Sequence, residues 1–473
     1  MSTSIPRFMV AAPSSGSGKT VVTCALLRAL ARRGLACAAF KCGPDYIDPL
    51  FHRRVVGARS GNLDGFFTDA PTLRALLARG AVGADIAVLE GVMGFYDGMA
   101  PGVADASSYQ VARDTETPVV LVVNGRGASL SLAAVISGIA EFLPCANVRG
   151  VVLNKTSAAA CAYAKPAIEK HTGVAVLGNI PADEAFSLES RHLGLVTADE
   201  VEQLSARIDK MAELVEKSVD VDRLLEIAAT APDIREDPYR LEPIAGARPI
   251  VAVARDEAFS FYYEENLRAL EDLGCELAFF SPLCDSELPR GTSALYLGGG
   301  YPELYAEALA DNRPMREEVR AAVLGGLPTV ADDSGLCTDA LHGAPGVYSA
   351  RYAGHHGDDD ANNAKLLREL ADVPEEQRGA KFVSAVCFML PDGRALEVEG
   401  ECPGCIAFTL QNGDYGFGYD PLFIPDEYGA PDGKRPNTER RSYAQLTPDE
   451  KDAISHRGRA MEKLEAQLSA FLG

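Results

Sequence analysis

Phe8-Met-Val-Ala-Ala-Pro-Ser-Ser-Gly-Ser-Gly-Lys-Thr20 is an apolar run that breaks into a Gly/Ser turn and ends on a lysine and a threonine. From Thr20 to Arg33 apolar residues recur at helical spacing, and Gly34 stops them. Strand, loop and helix in that order let backbone N–H groups and a helix N-terminus cradle a phosphate. In such a loop Gly16, Ser17 and Gly18 line the cradle, Lys19 reaches the transferred phosphate, and the Thr20 hydroxyl takes Mg²⁺. The strict pattern asks for glycine where Pro13 stands, so a plain Gly/Ser turn is the competing reading, and the strand and helix context argues against it.

Further apolar runs at Ile86–Leu89, Val119–Val123 and Val148–Leu153 alternate with helical stretches. That alternation predicts an α/β fold, a doubly wound parallel sheet built on the phosphate loop. Acidic clusters stand where its strands should end: Lys41-Cys-Gly-Pro-Asp-Tyr-Ile-Asp48, Asn62-Leu-Asp64 and Glu90-Gly-Val-Met-Gly-Phe-Tyr-Asp97. Loops after parallel strands converge on one crevice, and Mg²⁺-ATP needs oxygen ligands there. Solvated turn acids are the bland reading of each cluster alone.

The length of 473 residues and 47 % hydrophobic content allow about three domains with real cores. A net charge of −22 opposes non-specific binding to nucleic acid or anionic lipid, so phosphate recognition must come from local loops. Eleven scattered cysteines and the lack of a leader or long apolar run fit a cytoplasmic protein with no membrane partner. Cys402-Pro-Gly-Cys405 lacks a second pair and is expected to be an ordinary hairpin pair, not a zinc site. Pro232–Pro249, with four prolines, reads as a linker. A second strand-helix-strand series follows at Ile250–Ala254, Glu264–Leu273, Glu276–Phe280 and Ala294–Leu297. Later come a strand at Phe382–Leu390, a Gly-rich loop at Asn412–Asp420 and a closing helix from Pro448 through Leu472.

The segments APSSGSGKT, FKCGPDYIDPLFH, NLDGFF, EGVMGFYDG, Arg191–Val196, ARDEAFSFYYEENL, FFSPLCDSELP and Gly298–Glu303 resemble the cobyrinic acid a,c-diamide synthase family over about residues 1–330. The resemblance implies ATP-dependent amidation of corrin carboxylates through an acyl phosphate that ammonia attacks. It implies Lys19 on phosphate, Thr20, Asp45 and Glu90 on Mg²⁺, and Asp48 and Asp97 near the substrate carboxylate or ammonia, with ATP, a corrinoid and glutamine or ammonia as partners. His192 is either an interface residue or a satisfied structural histidine. A homodimer is compatible with all of this.

The second domain of that family is a class I glutaminase, with a cysteine nucleophile after a Gly-Leu-Pro strand and oxyanion donors for which Gly298–Gly300 are suited. Here Gly326-Leu-Pro-Thr-Val runs into Ala331-Asp-Asp-Ser-Gly-Leu336, so Asp333 stands at the nucleophile position and Cys337 comes four residues late. The resemblance therefore implies a lost glutaminase.

From there ADDSGLCTDALHGAPGVYSARYAG (331–354), Asn362–Leu367, FGYDPLF (417–423) and Glu450–Gly458 resemble the purine NTP pyrophosphatase, or inosine triphosphatase, family. That family hydrolyses ITP, dITP and XTP with Mg²⁺. By position Asp333 would be general base and metal ligand and Ser334 a substrate contact. Phe417, Gly418, Tyr419 and Asp420 would form the base pocket, with Lys451, His456 and Arg457 on base or phosphate. Turn-forming acids and a core loop are the structural alternatives. The family's opening strand and Thr-x-x-Asn-x-x-Lys phosphate loop are missing.

Both families share a local plan at the join: a helix (Pro314–Leu324), a Gly turn and a short buried strand (Thr329–Ala331) ending in an active-site turn. The division expected is 1–231 synthetase, 232–249 linker, 250–330 truncated amidotransferase and 331–473 partial pyrophosphatase, a fusion by gene recombination or sequence assembly. The leading expectation is a corrinoid amidoligase using ammonia. The alternatives are a purine NTP pyrophosphatase and a non-catalytic nucleotide- or corrinoid-binding scaffold.

Overall fold

A computed structural model describes residues 3–98, 103–183, 198–234, 241, 243, 248–325, 329–354, 358–390, 394–411, 413, 416, 418–430 and 433–472. The chain forms two compact units, residues 1–312 and 313–473. Most of the linker reading at 232–249, the Arg191–Val196 segment with His192, Phe417, and the Gly326–Pro328 turn lie outside the described residues.

The first unit opens with β1 (Arg7–Ala11), α1 (Lys19–Arg32), β2 (Cys37–Cys42), α2 (Ile47–Phe51), β3 (Arg59–Leu63), α3 (Ala70–Gly80), β4 (Ile86–Glu90) and α4 (Ser108–Asp114). It continues through β5 (Val119–Asn124), α5 (Leu130–Glu141), β6 (Val148–Asn154), α6 (Ala158–Thr172), β7 (Ala175–Ile180), α7 (Ala198–Ser218) and α8 (Val221–Ala228). The seven strands pair in parallel in the order β3-β2-β4-β1-β5-β6-β7, the doubly wound sheet expected. Phe40, Leu73, Leu77 and Ile136 fill one face, while Val22, Leu26, Met211 and Leu224 fill the other. Burial on both faces explains why the strands read as unbroken apolar runs and not as alternation. The chain winds outward in both directions from β1, so the loops after β1, β2 and β4 open into one crevice.

The same unit then builds β8 (Ile250–Ala254), β9 (Phe259–Phe261), α9 (Glu264–Asp272), β10 (Glu276–Phe280), β11 (Thr292–Tyr296), β12 (Gly299–Gly300) and α10 (Ala306–Asp311). Strands β10, β8 and β11 form a small parallel sheet with β8 central, over a core of Val251, Val253, Tyr262 and Leu267.

The second unit begins with α11 (Arg313–Gly325) and β13 (Thr329–Thr338), followed by α12 (Asp359–Glu369), β14 (Gly379–Met389) and β15 (Ala395–Ile406). Then come β16 (Phe423–Pro425), β17 (Glu427–Ala430), β18 (Gly433–Pro436), α13 (Pro448–Asp452) and α14 (His456–Leu472). Strands β13 to β16 form an antiparallel meander, and α14 packs Ala460 and Leu464 against Val386 and Val398. Gly400 permits that packing, since a Cβ there would sit 1.9 Å from the His456 carbonyl oxygen.

Three local expectations are corrected. The short strand at Thr329–Ala331 does not end in a turn. β13 runs on to Thr338 as the outer strand of the sheet, because β14 pairs with it without a break from Thr329↔Met389 to Thr338↔Ala380. Asp332 and Asp333 therefore lie mid-strand. Cys402 and Cys405 are not a hairpin pair but lie along β15, paired in register with β14. The closing helix is broken between α13 and α14, where Ile454 turns fully into the core.

Candidate active site

The phosphate loop is held in the left-handed backbone region at Gly16 (φ 72°) and Gly18 (φ 94°), which favours glycine. Gly18 also has no room for a side chain, since a Cβ would lie 2.5 Å from Asn154 Nδ2. Asn154, at the end of β6, donates from that nitrogen to the Ser17 carbonyl at 2.8 Å and so ties the loop to the sheet. Lys19 donates to the carbonyls of Ser14 (3.2 Å) and Met93. Burial, then the neighbouring Lys41, lowers its pKa to about 8.

Beneath the loop the Thr20 hydroxyl donates to Glu90 Oε1 at 2.5 Å and lies 3.4 Å from Asp48 Oδ2. Strand register places Lys41 of β2 beside Glu90 of β4. The Lys41 ammonium bridges Glu90 Oε1 (2.9 Å) and Asp48 Oδ2 (2.5 Å) and stands 3.8 Å from Asp45. Glu90 Oε2 meets His52 Nε2 at 3.0 Å, with both side chains fully buried. Burial opposes the charges of this cluster and the ion pairs overcome it. Lys41 is held above the usual lysine range by Glu90, Asp48 and Asp45, and Glu90 below the usual carboxylate range by Lys41 and His52. Asp48 moves the other way, raised to about 7 by burial and by Glu90.

The structure thus brings Thr20, Glu90 and Asp48 together. Asp45 is turned aside: its Oδ1 accepts from the Ile47 and Asp48 amides at 2.8 and 3.1 Å. Asp97 is exposed and its carboxylate accepts from Gly94 N at 2.9 Å. A cavity of about 790 Å³ lies against Gly16, Gly18, Lys19, Thr20, Asp45 and Asp48, with Asn154 and Lys155 also on its wall. Among the described residues no three His, Cys, Asp or Glu side chains are spaced to hold a metal alone. The donor set nevertheless fits Mg²⁺, which keeps waters and takes one or two carboxylates beside a hydroxyl and phosphate oxygens. Sequence reading missed Lys41, His52 and Asn154 as site residues. A lysine inside an otherwise apolar strand was the available signal, because a buried ammonium demands carboxylate partners.

In the second unit Arg457 grips Asp332, Nε to Oδ2 at 2.9 Å and Nη2 to Oδ1 at 3.0 Å, and reaches Ser334 Oγ at 3.3 Å. Asp333 is exposed, and its Oδ1 accepts from the adjacent Ser334 amide. Lys451 pairs with buried Asp420 at 2.9 Å, Tyr419 donates to the Ser349 carbonyl, and the Gly418 amide donates to Asp359. His456 stacks on Phe382 at 5.3 Å. Arg457, Asp332 and Ser334 are therefore brought together, with Asp333 beside them and the Lys451–Asp420 pair as a separate contact.

Burial, then Arg457, lowers the His456 pKa to about 4, and its Nδ1 has no hydrogen-bond partner among the described residues. The folded state keeps this imidazole neutral while the unfolded chain takes a proton near pH 6.5. His456 should therefore lose stability for the second unit as pH falls from about 6.5 towards 4, on the order of 2 kcal/mol. Urea melts of the protein and of H456Q at pH 7.5 and 4.5 test this, and an equal loss in both would refute it.

A phosphate loop feeding a parallel sheet, with hydroxyl and carboxylate beneath it, defines a P-loop nucleotide-binding protein. Residues 8–196 match the CobQ/CobB/MinD/ParA nucleotide binding domain, and residues 250–336 the CobB/CobQ-like glutamine amidotransferase domain. The chain belongs to the cobyrinate a,c-diamide synthase family. It is 41 % identical over 332 residues to the cobyrinate a,c-diamide synthase of Listeria innocua, covering 70 % of this chain and 73 % of that protein. The Clostridium acetobutylicum synthase is 42 % identical over 331 residues, covering 69 % and 74 %. Residues 307–467 match the Ham1 family, so residues 307–336 are shared by two family matches. A solved nucleoside-triphosphatase (dITP/XTP pyrophosphatase) from Mycobacterium abscessus is 38 % identical, covering 46 % of this chain and 98 % of that one, with a TM-score of 0.30. Among the described residues no helix is long and apolar enough to cross a membrane.

Proposed function

We propose that the chain is an ATP- and Mg²⁺-dependent ligase that amidates the a and c side-chain carboxylates of cobyrinic or hydrogenobyrinic acid in cobalamin biosynthesis, with ammonia as nitrogen source. The observation that carries this reading is the convergence of Thr20, Glu90, Asp48 and Lys41 under the phosphate loop, in a chain of the synthase family. A substrate carboxylate oxygen attacks the γ-phosphorus and ADP leaves. Ammonia then attacks the acyl carbon, the C–O bond to phosphate breaks, and one nitrogen proton is released. Two anions must meet in the first step, so cations have to neutralise them. Lys19 lies where it can hold the transferred phosphoryl group. Thr20, Glu90 and Asp45 would hold Mg²⁺, which supplies further charge neutralisation. Asp48, raised to about 7, is poised to take the ammonia proton near neutral pH, and the family resemblance puts Asp97 near the substrate carboxylate or the ammonia. All eleven cysteines are free thiols, which suits a reducing cytoplasm.

The choice of ammonia follows from β13. Asp333 stands where the resemblance places the glutaminase cysteine, and Cys337 is a strand residue whose thiol is pushed up by burial, the wrong direction for a nucleophile. With Mg-ATP and cobyrinic acid, ammonium should support amide formation and glutamine should fall at least about a hundredfold below it. Mass spectrometry of the corrinoid reads both, and equal rates with glutamine would overturn the loss of the glutaminase.

The Arg457–Asp332–Ser334 contact favours one second reading, Mg²⁺-dependent hydrolysis of ITP, dITP or XTP by the second unit. Pyrophosphate released from ITP without corrinoid would support it. Nucleotide binding with neither product would leave a binding scaffold.

A further inference from the structure

The amidotransferase-like segment 250–300 keeps a position that a disused remnant has no reason to keep. Its aromatic residues close on Tyr46, which follows Asp45 in the loop between β2 and α2 and directly precedes the first turn of α2, where Asp48 stands. The Tyr46 ring stacks against Phe261 (centroids 5.3 Å apart, interplanar angle 16°) and against Tyr263 (4.8 Å, 22°). Phe261 is itself braced edge-on by Tyr301 at 5.0 Å, and its strand β9 pairs with β12.

The segment is fixed to the P-loop sheet by contacts independent of these rings. Asp272 at the end of α9 takes Arg79 of α3 in a two-point grip, with Nη2 to Oδ1 at 2.7 Å. Glu264 at the start of α9 takes Arg53. Along β3, Gly61 leaves room for Glu265, whose Oε1 lies 2.3 Å from where a Cβ would be. Tyr263 immediately precedes the first turn of α9, so the anchored helix fixes the backbone from which its ring projects. On the far side of Tyr46, the Asp45 carboxylate accepts from the Ile47 and Asp48 amides, and Asp48 is gripped by Lys41. One aromatic side chain therefore links the anchored segment to a tight turn bearing two carboxylates.

We propose that the amidotransferase-like segment now serves as a clamp: Phe261 and Tyr263 are positioning residues that hold Tyr46, and through it Asp45 and Asp48, in register with Thr20 and Glu90. It rests on the amidation reading for what the carboxylates finally do, but not for what the clamp does to them. A carboxylate displaced by an ångström costs an enzyme of this kind heavily, and the β2–α2 junction without the clamp would sample more such displacements.

The test uses the full chain. F261A/Y263A should lower kcat/KM for ammonium-dependent amidation about tenfold or more, and should reduce by a similar factor the gain in affinity for a non-hydrolysable ATP analogue that Mg²⁺ confers, measured by calorimetry. Y263F keeps the stack and should restore both. Y46A removes the ring from the other side, and Y46A/F261A/Y263A should be no worse than Y46A alone, because the three side chains act as one unit. An unchanged Mg²⁺-dependent affinity in F261A/Y263A, or losses that simply add in the triple variant, would overturn the clamp. A wild-type protein that shows the Mg²⁺ effect without making amide would count against the amidation reading and not against the clamp. If F261A/Y263A fails to fold, Y46A with and without Y263F carries the same comparison.

Discussion

K19M should lower ATP-dependent turnover by about a thousandfold or more while leaving the fold intact. Lys19 is 8 % exposed, and its ammonium is held by carbonyl oxygens of Ser14 and Met93, with no carboxylate bonded to it among the described residues. Burial already disfavours its charge, to the point of lowering its pKa to about 8. Methionine matches the length of the stem, so the substitution removes a charge that the folded protein bears at a cost and that Glu90, Asp97 and Asp48 offset only in part. The expected pattern is a lost rate with an unchanged or slightly raised melting temperature. ADP release and thermal melts on the same samples measure the two, and a K19M protein within tenfold of wild type would remove Lys19 from the chemistry.

E90A should show the opposite balance, with stability falling first. Glu90 is fully buried and answers Lys41, His52 and Thr20 at once. Its removal leaves Lys41 with Asp48 and Asp45, and leaves the buried His52 Nε2 without its carboxylate. Breaking a buried pair on one side costs about 3 kcal/mol at the low end of the usual range, and the remaining partners of Lys41 argue for that end. For a unit of some 312 residues the melting temperature should drop by about 4–5 °C. E90Q keeps hydrogen-bonding capacity and should recover part of that loss while remaining deficient in the Mg²⁺-dependent gain in nucleotide affinity. Calorimetric melts of both variants decide it: an E90A protein as stable as wild type would mean that the Lys41 pairing carries no net stability.

The two variants also separate what could be read from the chain alone and what could not. The phosphate loop is a local device. Its glycines, lysine and threonine lie within a few residues of one another, and the strand before and helix after are written in apolar spacing. The group beneath it is not local. Lys41 meets Glu90 because β2 and β4 are neighbours although β3 lies between them in sequence, and the order of strands in a sheet leaves no mark in any one strand. His52 is further hidden, since it begins a π-helical turn, His52–Val56, that departs from the spacing by which a buried face is recognised. At the join the local plan of helix, glycine turn and short strand fitted two families equally. The partner that decided the outcome, β14, lies some distance downstream and pairs along the whole of β13. Register over such a separation is a property of the fold, not of the pattern.

The outer position of β13 has one more consequence. A strand at the rim of a sheet offers a row of amide and carbonyl groups to any passing extended chain; from Gly335 onward residues 344–349 cover the rim of β13, but the stretch before it shows Val330 to solvent, 58 % exposed. Asp332 and Asp333 sit in the middle of that row, with the bulk of Arg457 drawn over the first. Two adjacent carboxylates make a second copy of the same strand an unwelcome neighbour, since like charges would be brought face to face. An acid pair in that row is therefore expected to disfavour edge-to-edge pairing between two copies of this sheet.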